Sequence, residues 1–165
     1  MSKLYVNEVH SKTGSIKAIE IDSDGQVKKP NQLMFRVYYN EGEITTDQTI
    51  PFNGIYENTT GSAFNTSTGK FTVPTAGVWV FSFIGMTDTD STADHTYVEL
   101  RKNDVGQLRS YTYKEASQHT QLVIGAHPTV CEEGDVIHIF YKANGGVDLY
   151  GNSGLYTQFS GFMLG

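Results

Sequence analysis

The sequence predicts an all-β protein whose antiparallel strands pack as two sheets, and three observations carry that expectation. In Gly69–Phe83, GKFTVPTAGVWVFSF, Phe71 and Val73 share one face of a short strand, and Trp79, Phe81 and Phe83 recur with period two in the next. No stretch of a dozen residues carries a helical stripe. The 17 glycines and 12% aromatic residues suit a chain of many strands and tight turns. Three large rings on alternate positions cannot stay wet. Burying each one contributes roughly 1.5–3 kcal/mol, which places this strand between two layers. Phe71, Trp79, Phe81 and Phe83 are therefore the candidate core. Pro74-Thr75-Ala76-Gly77 forms the corner, because proline has no N–H for the ladder and glycine permits close packing or unusual backbone angles at the restart.

The same run resembles the signature of the complement-1q globular domain, a jelly roll shared with the tumour necrosis factors. In that signature a phenylalanine is followed, after five residues, by Gly-x-Tyr-x-Phe-x-(Phe or Tyr). Here the series is Phe71, Gly77, Trp79, Phe81, Phe83, with tryptophan in place of tyrosine. Upstream, Phe52, Asn58 and Phe64 match the pattern, with one extra residue between the last two. Glu133-Gly134-Asp135-Val136 is similar to the family's Gly-Asp-x-Val corner, and Phe159–Leu164 to its closing strand. The resemblance spans Met34 to Gly165. It implies a two-sheet antiparallel jelly roll of about ten strands, assembled as a homotrimer with a parallel threefold axis. Closed symmetry also satisfies sticky faces without open-ended growth. Val78, Val80 and Ile84, on the face of the central strand opposite Trp79, Phe81 and Phe83, are the candidate trimer contacts.

In chain order, residues 1–32 differ in kind from the rest and form an extended amino-terminal arm. Leu4 and Val6, then Ile19 and Ile21, are short alternating pairs separated by turns at Ser11–Ser15 and Asp22–Gly25, with Val27 opening another extended piece. Such a segment gains stability chiefly by pairing with another chain. It resembles the amino-terminal ends of short bacteriophage fibre and appendage proteins, in which three copies intertwine and seat a distal knob on the virion. A flexible leader with two sticky strands is the alternative. Lys28–Leu33 reads as the linker to the knob, residues 33–165.

Met34–Tyr39 is the first knob strand. Asn40–Asp47 is a polar loop, Pro51 marks an edge or strand start, and 56–69 reads as a long polar connection anchored by Phe64. Tyr97–Asn103 alternates with Val98 and Leu100 inward, and Asn103-Asp104-Val105-Gly106 is a hairpin-type turn. Leu108–Tyr113, Gln121–Ile124 and Val136–Tyr141 read as strands. Lys114–His119 and Ala143–Leu155 read as surface loops, and Thr157–Leu164 closes the sheet. Cys131 is expected as a small buried residue at a strand end.

Composition limits function. A net charge of −6 argues against a nucleic-acid partner, which needs a basic footprint. The first residues carry no apolar run long enough for a signal peptide or membrane span, so no membrane insertion is expected and synthesis is expected in a cytoplasm. Asp88, Asp90 and Glu99 fall at the first, third and twelfth positions of a calcium loop, but Ala93 stands where glycine is needed, so no metal site is expected. No Gly-x-Ser-x-Gly is present, and His10, His95, His119, His127 and His138 are scattered without metal-ligand spacing. His138, in an apolar strand, is expected as a hydrogen-bonded core or interface residue. Neither a catalytic residue nor a cofactor is expected.

Two functions remain. The first is a bacteriophage virion structural protein, made in the host cytoplasm and located in the virion. It would be a homotrimeric knob on a tail fibre or a capsid decoration, attached to other virion proteins through residues 1–32 and able to bind a host surface. The second is a non-viral trimeric module that recognises glycan or protein through its loops, with Tyr56, Tyr113, Tyr150 and Tyr156 as candidate stacking residues.

Overall fold

A computed structural model describes residues 6–10, 14, 17–29, 31–88, 94–143 and 146–164. Asp90 and Ala93 of the calcium-loop comparison lie outside them. The chain divides into two units, Met1–Leu33 and Met34–Gly165.

In the first unit, β1 (Glu8–His10), β2 (Lys17–Ile21) and β3 (Val27–Lys28) form a three-stranded antiparallel sheet in the order β1-β2-β3. The strands expected to await another chain instead fold back on one another. Asp22 makes the second reversal: its carboxylate accepts from the N–H groups of Asp24 and Gln26 and pairs with Lys28 at 2.9 Å.

The second unit is the antiparallel two-sheet jelly roll that the sequence predicted, with no helix among the described residues. Its strands are β4 (Met34–Tyr38), β5 (Gln48–Thr49), β6 (Gly54–Asn58), β7 (Phe64–Asn65), β8 (Lys70–Thr72), β9 (Gly77–Met86), β10 (Asp94–Lys102), β11 (Val105–Lys114), β12 (Gln121–Cys131), β13 (Val136–Lys142) and β14 (Gln158–Met163). One sheet runs β11-β10-β13-β8-β7, with β5 also on β13. The other runs β12-β9-β14-β4-β6. The stretch 56–69, expected as a long connection, thus contributes all of β7 and most of β6.

The core lies between the sheets. Trp79, Phe81 and Phe83 of β9 point into it with Phe71 of β8, Phe35 and Val37 of β4 and Phe159 of β14, all buried. Val98 and Leu100 face inward from β10, as do Ile137, Ile139 and Tyr141 from β13. The Trp79 indole N–H donates to the carbonyl of Thr75 at 3.1 Å, tying the corner to the strand it launches. Gly77 at that corner has φ +152°, and a Cβ there would lie 2.7 Å from Met163 Cε. Cys131 ends β12 fully buried, and burial pushes its thiol up to about 11.

Two turns lock the sheets in register. Asn103 and Asp104 both have positive φ, 52° and 62°, and join β10 to β11 with Lys102 opposite Val105, the geometry of a two-residue hairpin. At the Gly-Asp corner, Asp135 accepts from the Glu132 N–H at 2.8 Å, the Asn103 amide at 2.7 Å and Lys102 at 3.0 Å. The Asn103 side-chain oxygen in turn accepts from the Val136 N–H. These bonds hold the Asp135 carboxyl down at about 2, the Glu132 backbone contributing most, then Asn103 and Lys102.

Two predictions follow from this geometry. Gly69 has φ +67°, and a Cβ there would overlap the carbonyl oxygen of Ile50. Gly69→Ala therefore costs about 2 kcal/mol or more of unfolding free energy in denaturant titration, since strain at positive φ alone is worth ~1–3 kcal/mol. Asp135 has a depressed folded pKa, so its stabilisation is complete above the unfolded value near 4 and is lost as pH falls toward 2. Melting curves across that window show a fall in the wild type that Asp135→Asn flattens, with lower stability for the variant at neutral pH.

Candidate functional site

Strand β9 has two apolar faces, and the outward one, with its neighbours on β12 and β14, leaves apolar side chains exposed. Strand registers place side chains across it in rows. Val78 lies opposite Val130, and Val80 between Pro128 and Phe162. Ile84 lies between Val123 and Gln158. Ile84 is 40% exposed, and Val123, Val130 and Phe162 are exposed with it. Val80 is only 7% exposed, so its flat neighbours already cover it within the chain.

A groove of about 250 Å³ crosses this face where β12 bulges between Ile124 and His127. Arg36, Ser82, Ile84, Val123, Gly125 and Gln158 line it. Arg36 donates through Nε and Nη2 to the Gln158 side-chain oxygen at 3.1 and 3.0 Å. Its guanidinium lies 4.8 Å above the Tyr56 ring, and Tyr56 packs 4.4 Å from Tyr38. Tyr38 fills the space that side chains at Gly54 and Gly154 would need.

The four candidate stacking tyrosines do not form one site. Tyr56 sits on β6 rather than in a loop, and Tyr113 is exposed on β11 of the other sheet. Tyr150 and Tyr156 do meet, edge to face at 5.5 Å, with the His119 ring 5.9 Å from Tyr150. Backbone bonds fix this cluster. The Tyr150 N–H donates to Met86 O at 2.7 Å, Thr157 Oγ1 donates to Tyr150 O at 2.7 Å, and His119 Nδ1 lies 2.6 Å from Thr87 O. Three loops thereby converge: those after β9, after β11 and before β14. Beneath them Lys114, expected in a polar loop, ends β11 fully buried and donates to Glu115 O at 3.2 Å. Asp148 is pushed up by burial and by the neighbouring charge of Asp88, with Lys114 opposing.

The outward face of the six-stranded sheet is ionic. Glu99 of the calcium-loop comparison is held by Arg101 at 2.8 Å and Arg109 at 2.5 Å. Burial pushes its carboxyl up, but the hydrogen bonds from Arg109 and Arg101 together hold it below the usual range. Arg101 stacks on Phe140 at 3.7 Å and Arg109 on Tyr97 at 4.0 Å. No group of three His, Cys, Asp or Glu among the described residues could hold a metal ion. His138 lies under this network, 1% exposed and neutral, its pKa lowered to about 4 by burial and by Lys70, with Asp104 opposing and Arg101 adding to the fall. The hydrogen-bonded core histidine of the sequence reading needs correction, because Nδ1 is buried with no partner and Nε2 is 3.6 Å from Asp104.

The chain matches the C1q domain over residues 34–164. It is 30% identical over 126 residues to zebrafish (Danio rerio) Caprin-2, which covers 73% of this chain and 12% of that protein's length. In fold it is similar to the globular domain of zebrafish complement 1qA protein, with a TM-score of 0.65 and 23% identity over 81% of this chain and 98% of that one. It is also similar to the Eiger TNF of S. frugiperda, with a TM-score of 0.61 and 12% identity over 82% and 94%. The chain belongs to the C1q-domain family.

Proposed function

We propose that this protein is a homotrimeric binding module, not an enzyme, that self-associates through the outward face of the β12-β9-β14-β4-β6 sheet. Its converging loops then recognise a glycan or protein. The observation that carries the reading is the set of exposed apolar side chains on β9 and its neighbours, Ile84, Val123, Val130 and Phe162. A monomer has no use for such a surface, whereas a closed ring of three copies covers it. Family membership and the likeness to a tumour necrosis factor fold support the threefold assembly. Arg36, bonded to the uncharged Gln158, gives that face one polar anchor for a neighbouring subunit.

The loop cluster of Tyr150, Tyr156 and His119 supports the ligand site, because it offers aromatic faces and ring nitrogens on a backbone frame that strands hold rigid. Of the two functions the sequence left open, the non-viral module has the support of the relatives, which are animal proteins. The virion reading, with its virion partners and host surface, has no support among them.

Light scattering of the purified chain is expected to give three times 18.3 kDa. Ile84→Arg combined with Val123→Arg, both at exposed positions, gives a folded monomer, and a variant that stays trimeric means another face makes the contact. On a glycan and protein-ectodomain array, Tyr156→Ala weakens whatever binding the wild type shows by about fivefold or more. Tyr113→Ala, on the other sheet, leaves it unchanged; equal loss in both variants would place the site elsewhere.

A further inference from the structure

One polar row crosses the outward face of the five-stranded sheet. Strand registers line up Arg36 of β4, Ser160 of β14 and Ser82 of β9. On one side of this row lie Met34, Phe162, Val80 and Pro128, and on the other Tyr38, Gln158, Ile84 and Val123. Directly paired residues share a face, so a guanidinium and two hydroxyls stand together between two largely apolar rows. All three border the groove of about 250 Å³, with Ile84 and Val123 as walls. Gly125 keeps it open, since a Cβ there would meet nothing within 4 Å.

The polar row has donors to spare. Among the described residues neither serine side chain makes a hydrogen bond, and Arg36 makes no ion pair, although Glu57 of β6 is its cross-strand neighbour. The Arg36 Nε hydrogen and one Nη2 hydrogen go to Gln158 Oε1. Both Nη1 hydrogens and the second on Nη2 remain, and Nη1 with Nη2 forms a fork that matches the two oxygens of a carboxylate.

We propose that this groove binds a carboxylate group. The Arg36 fork takes its two oxygens, the Ser160 and Ser82 hydroxyls donate to them, and Ile84 and Val123 pack against the carbon chain that carries it. One cation matches a monoanion, whereas a chain of net charge −6 repels a doubly charged phosphate. Apolar walls around a few placed donors likewise suit an acid with a hydrocarbon tail. All the donors belong to one chain, so the site does not rest on the trimer reading. That reading decides only whether the carboxylate is a side chain of a neighbouring copy or a free monocarboxylic acid.

The test titrates the full chain with sodium butyrate, butyramide and inorganic phosphate at constant ionic strength, followed by calorimetry, with light scattering of the same samples on dilution. A free acid as occupant gives butyrate binding that butyramide and phosphate do not reproduce. Arg36→Met then weakens it about tenfold or more, and Gly125→Leu, which fills the groove without touching a donor, does the same. A neighbour's carboxylate as occupant gives no butyrate binding to the wild type, and Arg36→Met then lowers the mass at dilutions where the wild type holds together. Absence of both effects overturns the proposal, as does butyramide or phosphate binding as tightly as butyrate. If the wild type is a monomer, the trimer reading fails and the butyrate titration alone decides the site.

Discussion

The fold depends on one slab of aromatic rings pressed between the two sheets. Phe71 of β8 lies 4.5 Å from Phe35 of β4 and 5.0 Å from Trp79 of β9, so a strand of only three residues is fastened to the opposite sheet through its central ring. Phe159 of β14 lies 5.1 Å from Phe35 and 6.0 Å from Phe81, and Phe52 closes the far side at 5.7 Å from Phe159. These rings come from positions far apart in the chain. The slab therefore forms only when first and last knob strands are adjacent, and β14 lies between β4 and β9. Each ring adds specific packing geometry to its buried area, which fixes the sheets at one relative setting.

The inward side of this arrangement was legible because its information is local. Period-two alternation in β9 and the Pro-Thr-Ala-Gly corner lie in one run, and the family's signature is built from the same residues. The outward face was legible only where it shares that run, at Val78, Val80 and Ile84. Val123 and Val130 of β12 lie an odd number of residues apart, so strict alternation puts them on opposite faces. The bulge between Ile124 and His127 switches the parity and brings both outward. Sequence reading ended that strand at Ile124 because the pattern breaks there, and with it went half of the candidate interface.

The other misses have related causes. Tyr56 and Lys114 stand among polar residues that read as loops, yet each belongs to a strand: β6 pairs with β4, and the last residues of β11 with the start of β10 at the open end of their hairpin. A lysine flanked by tyrosine and glutamate gives no local sign that tertiary packing will bury it. Nor does His138, in a run of strong strand formers, signal that its ring will be buried with Nδ1 lacking a hydrogen-bond partner.

The two sheets also divide the outer surface by chemistry, and this argues for where a ligand goes. On the six-stranded sheet, guanidinium groups are spent on Glu99 and on the faces of Phe140 and Tyr97, while Lys142 pairs with Asp47 and Lys70 with Asp104. At those groups a ligand would have to displace contacts the protein already makes with itself, whereas Tyr111 and Tyr113 of β11 stand exposed beside them. The five-stranded sheet instead exposes aliphatic and aromatic side chains, Ile84, Val123, Val130 and Phe162. At the loop end, Tyr150, Tyr156 and His119 are positioned by hydrogen bonds to backbone groups. Loops can vary in sequence there without disturbing either sheet, and the proposed ligand site rests on that freedom.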